Sequence, residues 1–149
     1  MRRGNCTNNK TTKEISLYRP LIEGALNEGW ALWRVQDGSF GRKPADCAGI
    51  SPSGVGVLLE VKVYDKVLFP GSRIPNQLLR FNQNAWLAEY ARLKAYSLVA
   101  IYNDTLNEMW VFRILHPNQL ERSTLVSELI CIELKLDGKG RWVGWNQLL

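Results

Sequence analysis

The stretch that decides the fold runs Lys43-Pro44-Ala45-Asp46-Cys47-Ala48-Gly49-Ile50-Ser51-Pro52-Ser53-Gly54-Val55-Gly56-Val57-Leu58-Leu59-Glu60-Val61-Lys62-Val63-Tyr64. Residues 55–64 alternate as the strongest strand of the chain, with Val57, Leu59, Val61 and Val63 on one face and Leu58, Glu60 and Lys62 on the other. Residues 45–50 read as a shorter strand, and Pro52-Ser53-Gly54 is a turn signal between the two. Ser53 lies midway between Asp46 and Glu60, so an antiparallel hairpin turning there sets these carboxylates opposite each other. Their Cβ atoms would then stand roughly 5 Å apart. Two carboxylates held so close repel unless a cation separates them, and an all-oxygen donor set favours a hard ion such as Mg²⁺ or Mn²⁺. Lys62 shares the face of Glu60, and the backbone carbonyl of Val61 is a further candidate ligand. An ammonium there can orient water or offset charge building on a phosphate.

Working outward, residues 15–27 carry a helical stripe of Ile15, Leu17, Leu21, Ile22, Ala25 and Leu26, with Pro20 expected in the first turn and Gly29 as the stop. Residues 30–35 read as a strand and 37–44 as a Gly-rich basic loop. After a Pro/Gly-punctuated loop over 65–75, residues 76–95 read as a helix whose core stripe is Leu79, Trp86, Leu87, Tyr90 and Leu93. The apolar run 96–102 is a strand, followed by strands over 108–115, 129–136 and 141–145 and a short helix around 118–125. Helix, three strands, helix and further strands make an α/β sandwich with a mixed central sheet flanked by helices. The division expected is a flexible basic arm over 1–13 and a single domain over 14–149, with its core in 14–115 and a strand extension in 116–149.

The chain has 149 residues, a formal net charge of +5 and a sequence pI near 9.3, which fits one globular domain with a polyanionic partner. No apolar run is long enough for a membrane span, and no secretory signal precedes the domain, so a cytoplasmic address is expected. Cys6, Cys47 and Cys131 are odd in number and widely spaced, which reads as free thiols rather than a disulfide framework or zinc site. With His116 as the one histidine, chemistry falls to carboxylates, lysine and a metal. Of the other acid-x-Lys triplets, Glu133-Leu134-Lys135 lacks a second carboxylate placed by a symmetric hairpin and reads as solvated alternation on a strand, while Asp137-Gly138-Lys139 falls in a hairpin turn over 137–140. Trp33, Trp86 and Trp110 sit inside regular patterns and are expected in the core, whereas Trp142 and Trp145 are candidates to cover an interface.

Residues 43–49, then Leu58-Leu59-Glu60-Val61-Lys62, then Gln83 on the next helix and the strand 96–102, together resemble the PD-(D/E)XK nuclease superfamily. Within it the spacing is most similar to small Holliday-junction resolvases, while Gln83-Asn84-Ala85-Trp86-Leu87 also resembles VRR-NUC nucleases. The resemblance covers residues 14–115 and implies a restriction-endonuclease-like fold and metal-dependent hydrolysis of DNA, with Asp46 and Glu60 on the metal and Lys62 assisting water. It gives Gln83 the task of orienting Lys62 or the scissile phosphate. Ala45 separates Pro44 from Asp46, whereas the family's proline abuts the aspartate. Many members add a glutamate from the first helix; counting back from Gly29, that place falls at Tyr18 or Arg19, leaving Glu23 and Glu14 as the nearest acids. Arg42, Lys43, Lys66, Arg73 and Arg80 are the candidate DNA contacts, with Arg2, Arg3, Lys10 and Lys13 in the arm. Branched DNA cut on two strands calls for two symmetry-related sites, hence a homodimer, with the 65–75 loop and the C-terminal strands as candidate interface or DNA-grasping elements. A VRR-NUC-like flap or repair nuclease and a non-catalytic nucleic-acid-binding protein on a nuclease scaffold are the alternatives.

Overall fold

The computed structural model describes residues 11–36, 45–66, 71–74, 85–120 and 124–149. Thr11 and Glu14 form a reciprocal capping box that starts helix α1 (Thr12–Asn27). The helix therefore begins inside the segment expected to be a flexible arm, because the Thr-x-x-Glu signature satisfies the first backbone donors. Pro20 lies in the helix interior rather than its first turn. Burial of Leu17, Tyr18, Leu21, Gly24 and Ala25 outweighs the hydrogen bond the proline removes. Ile15 and Leu26, assigned to the core stripe from sequence, are exposed, and Tyr18 takes a place in the core instead. Gly29, in the left-handed region at φ +91°, ends the helix as expected.

Strands β1 (Ala31–Arg34), β2 (Cys47–Ile50) and β3 (Gly56–Tyr64) form two antiparallel hairpins. Strand β4 (Arg73–Ile74) and helix α2 (Ala85–Arg92) precede the inner strand β5 (Tyr96–Asn103), which runs parallel to β3. Strands β6 (Glu108–Arg113), β8 (Ile130–Leu136) and β9 (Trp142–Val143) then add antiparallel neighbours. Among the described residues the main sheet has seven strands in the order β1-β2-β3-β5-β6-β8-β9, and β4 pairs separately with β7 (Thr124–Leu125). That second, two-stranded sheet was not foreseen, since two-residue strands carry no periodicity to read. Where a short helix is expected around 118–125, the described residues form a 3-10 turn at Pro117–Leu120 and the strand Thr124–Leu125. The mixed α/β sandwich expected from the sequence is the architecture found.

Every residue of β5 is buried, as suits an inner parallel strand covered on both faces. One core, beneath α1, holds Val57, Leu59 and Val61 of β3 with Trp30, Tyr96, Trp142 and Trp145. The Trp30 ring meets Tyr96 edge-on at 5.1 Å and Trp145 at 6.1 Å. The other core, beneath α2, holds Leu58, Leu87, Ala88, Ala91, Val99, Ile101 and Phe112. The alternation read along β3 is thus the division between the two cores. The tryptophans are distributed otherwise than expected. Trp33 and Trp86 are 51% and 53% exposed, and Leu93 is exposed as well, whereas Trp142 and Trp145 are buried beneath α1 rather than available to an interface. Small residues explain α2, because Ala88 and Ala91 let its backbone approach β5, where the Ser97 hydroxyl donates to the Leu87 carbonyl at 2.6 Å.

The C-terminal segment is sewn to α1 by polar contacts as well. Glu28 accepts the Gly144 amide at 2.6 Å and the Asn146 amide at 3.1 Å, and the Trp30 indole N–H donates to Asn146 Oδ1 at 2.9 Å. Gly24 is where helix and strand nearly touch: a Cβ there would lie 1.7 Å from the Trp142 carbonyl oxygen. Gly24→Ala is expected to destabilise the protein by about 1–3 kcal/mol, the usual cost of overpacking, and a denaturant titration of the two proteins measures it. Neither Cys47 nor Cys131 is in a disulfide, and burial pushes the Cys131 thiol up to about 12, so it stays protonated and unreactive at neutral pH. Among the described residues no helix is long and apolar enough to cross a membrane.

Candidate active site

The β2–β3 register pairs Cys47 with Leu59, Ala48 with Leu58, Gly49 with Val57 and Ile50 with Gly56, all centred on Ser53. One step further along the same register, Asp46 faces Glu60. Asp46 is not itself in the strand; it occupies a bend just before β2, and this difference from the sequence expectation matters. The bend lets the carboxylate turn in toward β3, where Asp46 Oδ2 accepts the Val61 amide at 2.7 Å. From the other side the Val35 amide donates to the Asp46 carbonyl at 2.9 Å. The residue is 0% exposed, held by β1 and β3 at once. Within a strand the N–H and C=O of one residue face the same neighbour, so the Val61 carbonyl is aimed at this edge too.

Glu60 and Lys62 lie one alternation apart on β3, and the Lys62 ammonium reaches Glu60 Oε2 at 3.5 Å. Their side chains are only 15% and 14% exposed, respectively, so solvent screens the pair weakly. Parallel pairing to Val99 and Ile101 of β5 anchors both from the far side. Two carboxylates and a backbone carbonyl form an oxygen donor set suited to a hard divalent cation, with an ammonium beside it. Among the described residues no group of three or more His, Cys, Asp or Glu side chains gathers anywhere to hold a metal, so this acidic pair has no third protein carboxylate there.

The first-helix acids are engaged elsewhere. Glu14 closes the capping box, and Glu23 accepts from Arg19 Nε at 2.7 Å on the outer side of α1. The residue that α1 does turn toward the pair is Tyr18, one of the two positions reached by counting back from Gly29. It is 3% exposed, and its buried hydroxyl faces the Asp46 carboxylate. Burial raises the phenol's pKa first, and the neighbouring Asp46, then Cys47 and Glu60, raise it further, so Tyr18 is neutral. A neutral phenol beside these carboxylates is a donor, not an anionic ligand.

Lys66 is exposed just past β3, and its carbonyl accepts from Asn103 Nδ2 at 2.9 Å, which ties together the ends of β3 and β5. Arg73 is exposed on β4, in the small second sheet. Lys13 belongs to α1, 3.9 Å from Asp104 and over the Tyr102 ring at 4.9 Å. Gln83, Arg42, Lys43 and Arg80 lie outside the described residues, as do Arg2, Arg3 and Lys10. The Glu133–Lys135 copy is a 2.9 Å surface ion pair with the lysine well exposed, and Asp137 is taken up by Arg141 in the β8–β9 turn.

No family model matches the chain, and no curated protein matches it. Among solved structures, the chain is similar to Hjc of Archaeoglobus fulgidus, a Holliday junction resolvase from an archaeal hyperthermophile. The TM-score is 0.53 at 17% sequence identity, over 90% of this chain and 98% of that one. At that identity the likeness is one of fold, a nuclease-like sandwich.

Proposed function

We propose that the chain is a divalent-metal-dependent endonuclease of the PD-(D/E)XK type, hydrolysing phosphodiester bonds in branched DNA in the manner of a Holliday-junction resolvase. The observation that carries this reading is the Asp46 carboxylate, fully buried and locked by the Val61 amide in register with the Glu60–Lys62 pair. The fold shared with a resolvase supports it, as does the net charge of +5.

Asp46 and Glu60, with the Val61 carbonyl, would hold Mg²⁺ or Mn²⁺; when bound, the ion supplies Lewis-acid polarisation of the phosphate and acidifies water. Asp46 needs no reorganisation to do this, because Val61 and Val35 fix it from two sides. Lys62, 3.5 Å from Glu60, directs its N–H bonds at the attacking water or at the phosphoryl oxygen that gains charge. Attack is in line, with the bond to the leaving sugar oxygen breaking opposite the incoming oxygen. Gln83 is assigned to orienting Lys62 or the phosphate, and Lys66, Arg73, Arg80, Arg42 and Lys43 to the DNA backbone. Symmetric cutting of a junction requires a homodimer.

The test is cleavage of a labelled four-way junction beside linear duplex of matched sequence, with Mg²⁺, Mn²⁺ or EDTA. Symmetric nicks confined to the junction and abolished by EDTA are the expected result. Cleavage of flapped or nicked duplex in preference to the junction would move the reading to a VRR-NUC-like repair nuclease. DNA that is bound with a steep salt dependence yet never cut would make the protein a binding module on a nuclease scaffold.

A further inference from the structure

Tyr18 has a second neighbour that the carboxylate pair does not explain. The guanidinium of Arg34 lies over the Tyr18 ring, 4.7 Å from its centroid. Arg34 is the last residue of β1, paired in register with Cys47 of β2, the residue after Asp46. It is exposed, and no carboxylate pairs with it among the described residues. The phenol beneath it is buried and fixed on a packed helix, so the stack restrains a side chain that would otherwise lose much rotamer freedom on binding. A guanidinium held over a ring face still has N–H donors to offer, and their fork suits two oxygens of one phosphate.

We propose that Arg34, positioned by the Tyr18 ring, is a phosphate-binding residue of this site and takes the backbone phosphate next to the one that meets Asp46, Glu60 and Lys62. One buried tyrosine thereby ties the carboxylate pair to a phosphate clamp: its hydroxyl edge faces Asp46 and its ring face carries Arg34. The inference rests on the nuclease reading and names a DNA contact within it.

Binding of a labelled four-way junction in EDTA, measured by fluorescence anisotropy across a series of NaCl concentrations, tests it without cleavage. Arg34→Ala should weaken binding about fivefold near 0.1 M salt and reduce the slope of log affinity against log salt by about 0.9, the signature of one lost phosphate contact. Arg92→Ala, which removes an arginine paired with Glu89 on α2, should leave that slope unchanged. Tyr18→Leu should reproduce most of the Arg34→Ala loss, and the double variant should be no weaker than Arg34→Ala alone. Arg34→Lys keeps the charge and gives up the forked guanidinium over the ring without touching the core, so it too should bind more weakly than the wild type. A wild-type affinity and salt slope in Arg34→Ala overturns the proposal. Wild-type binding by Arg34→Lys, or fully additive losses in the double variant, overturns the positioning role of Tyr18. A wild-type protein that binds no DNA at any salt concentration instead sinks the nuclease reading itself, a result distinct from either.

Discussion

Asp46→Asn is expected to abolish cleavage, lowering the rate by about 10³-fold or more, while leaving the fold intact. The amide oxygen of asparagine can still accept the Val61 N–H that holds Asp46 Oδ2 at 2.7 Å, so the link between β2 and β3 survives. What disappears is one of two negative charges facing each other across the hairpin. In the metal-free protein that removes a repulsion, and the melting temperature should stay level or rise. With Mn²⁺ present the wild type should be stabilised by mass action and the variant should not. Calorimetric titration with Mn²⁺ and a melting curve with and without the ion therefore read the metal site independently of turnover. Cleavage at a wild-type rate in Asp46→Asn would remove Asp46 from the chemistry, and Mn²⁺ stabilisation that persists in it would place the ion elsewhere.

Lys62→Met should give the complementary pattern. The thioether fills much of the same volume on β3 but carries no proton to donate, so the rate should fall about 10²–10³-fold, the scale of losing one preorganised donor to a developing oxyanion. Mn²⁺ should still bind, and more tightly if anything, because the ammonium now 3.5 Å from Glu60 no longer competes with the cation. Loss of cleavage with retained ion binding, set against loss of both in Asp46→Asn, separates a residue that holds the metal from one that serves the reacting atoms. Should Lys62→Met cut the junction as fast as the wild type, the lysine is only an ion-pair partner of Glu60.

The hairpin was legible in the sequence because its information is local. Period-two alternation along β3 and a turn signal at residues 52–54 fix both the face and the register of every residue between them, since a slip of one would expose the core row. The observed pairing of Cys47 with Leu59 centres on Ser53, as the sequence implied, and carries Asp46 to Glu60. The parallel strand β5 was legible for a related reason, as an uninterrupted apolar run can only be covered on both faces. The helices were harder. In α1 and α2 the burial of Tyr18, Ala88 and Ala91, and the exposure of Trp86 and Leu93, depend on how far each helix rolls against the sheet. Large apolar side chains suggest a stripe, but small residues decide how closely a backbone can approach, and hydrophobicity alone does not record that.

The same division holds for the site. By itself the sequence determined the carboxylate pair and its lysine, which follow from alternation and turn chemistry within about twenty residues, and the mixed sheet, which follows from the order of helices and strands. Only the tertiary structure decided that the first helix turns a phenol rather than Glu14 or Glu23 toward that pair, that Arg34 stacks on it, and that Trp142 and Trp145 lie in the core beneath α1. Those outcomes join residues far apart in the chain, and they are set by the roll of α1 over the sheet, pressed at Gly24 against the Trp142 carbonyl. No run of neighbouring residues encodes such an angle; it is the result of packing two surfaces to contact.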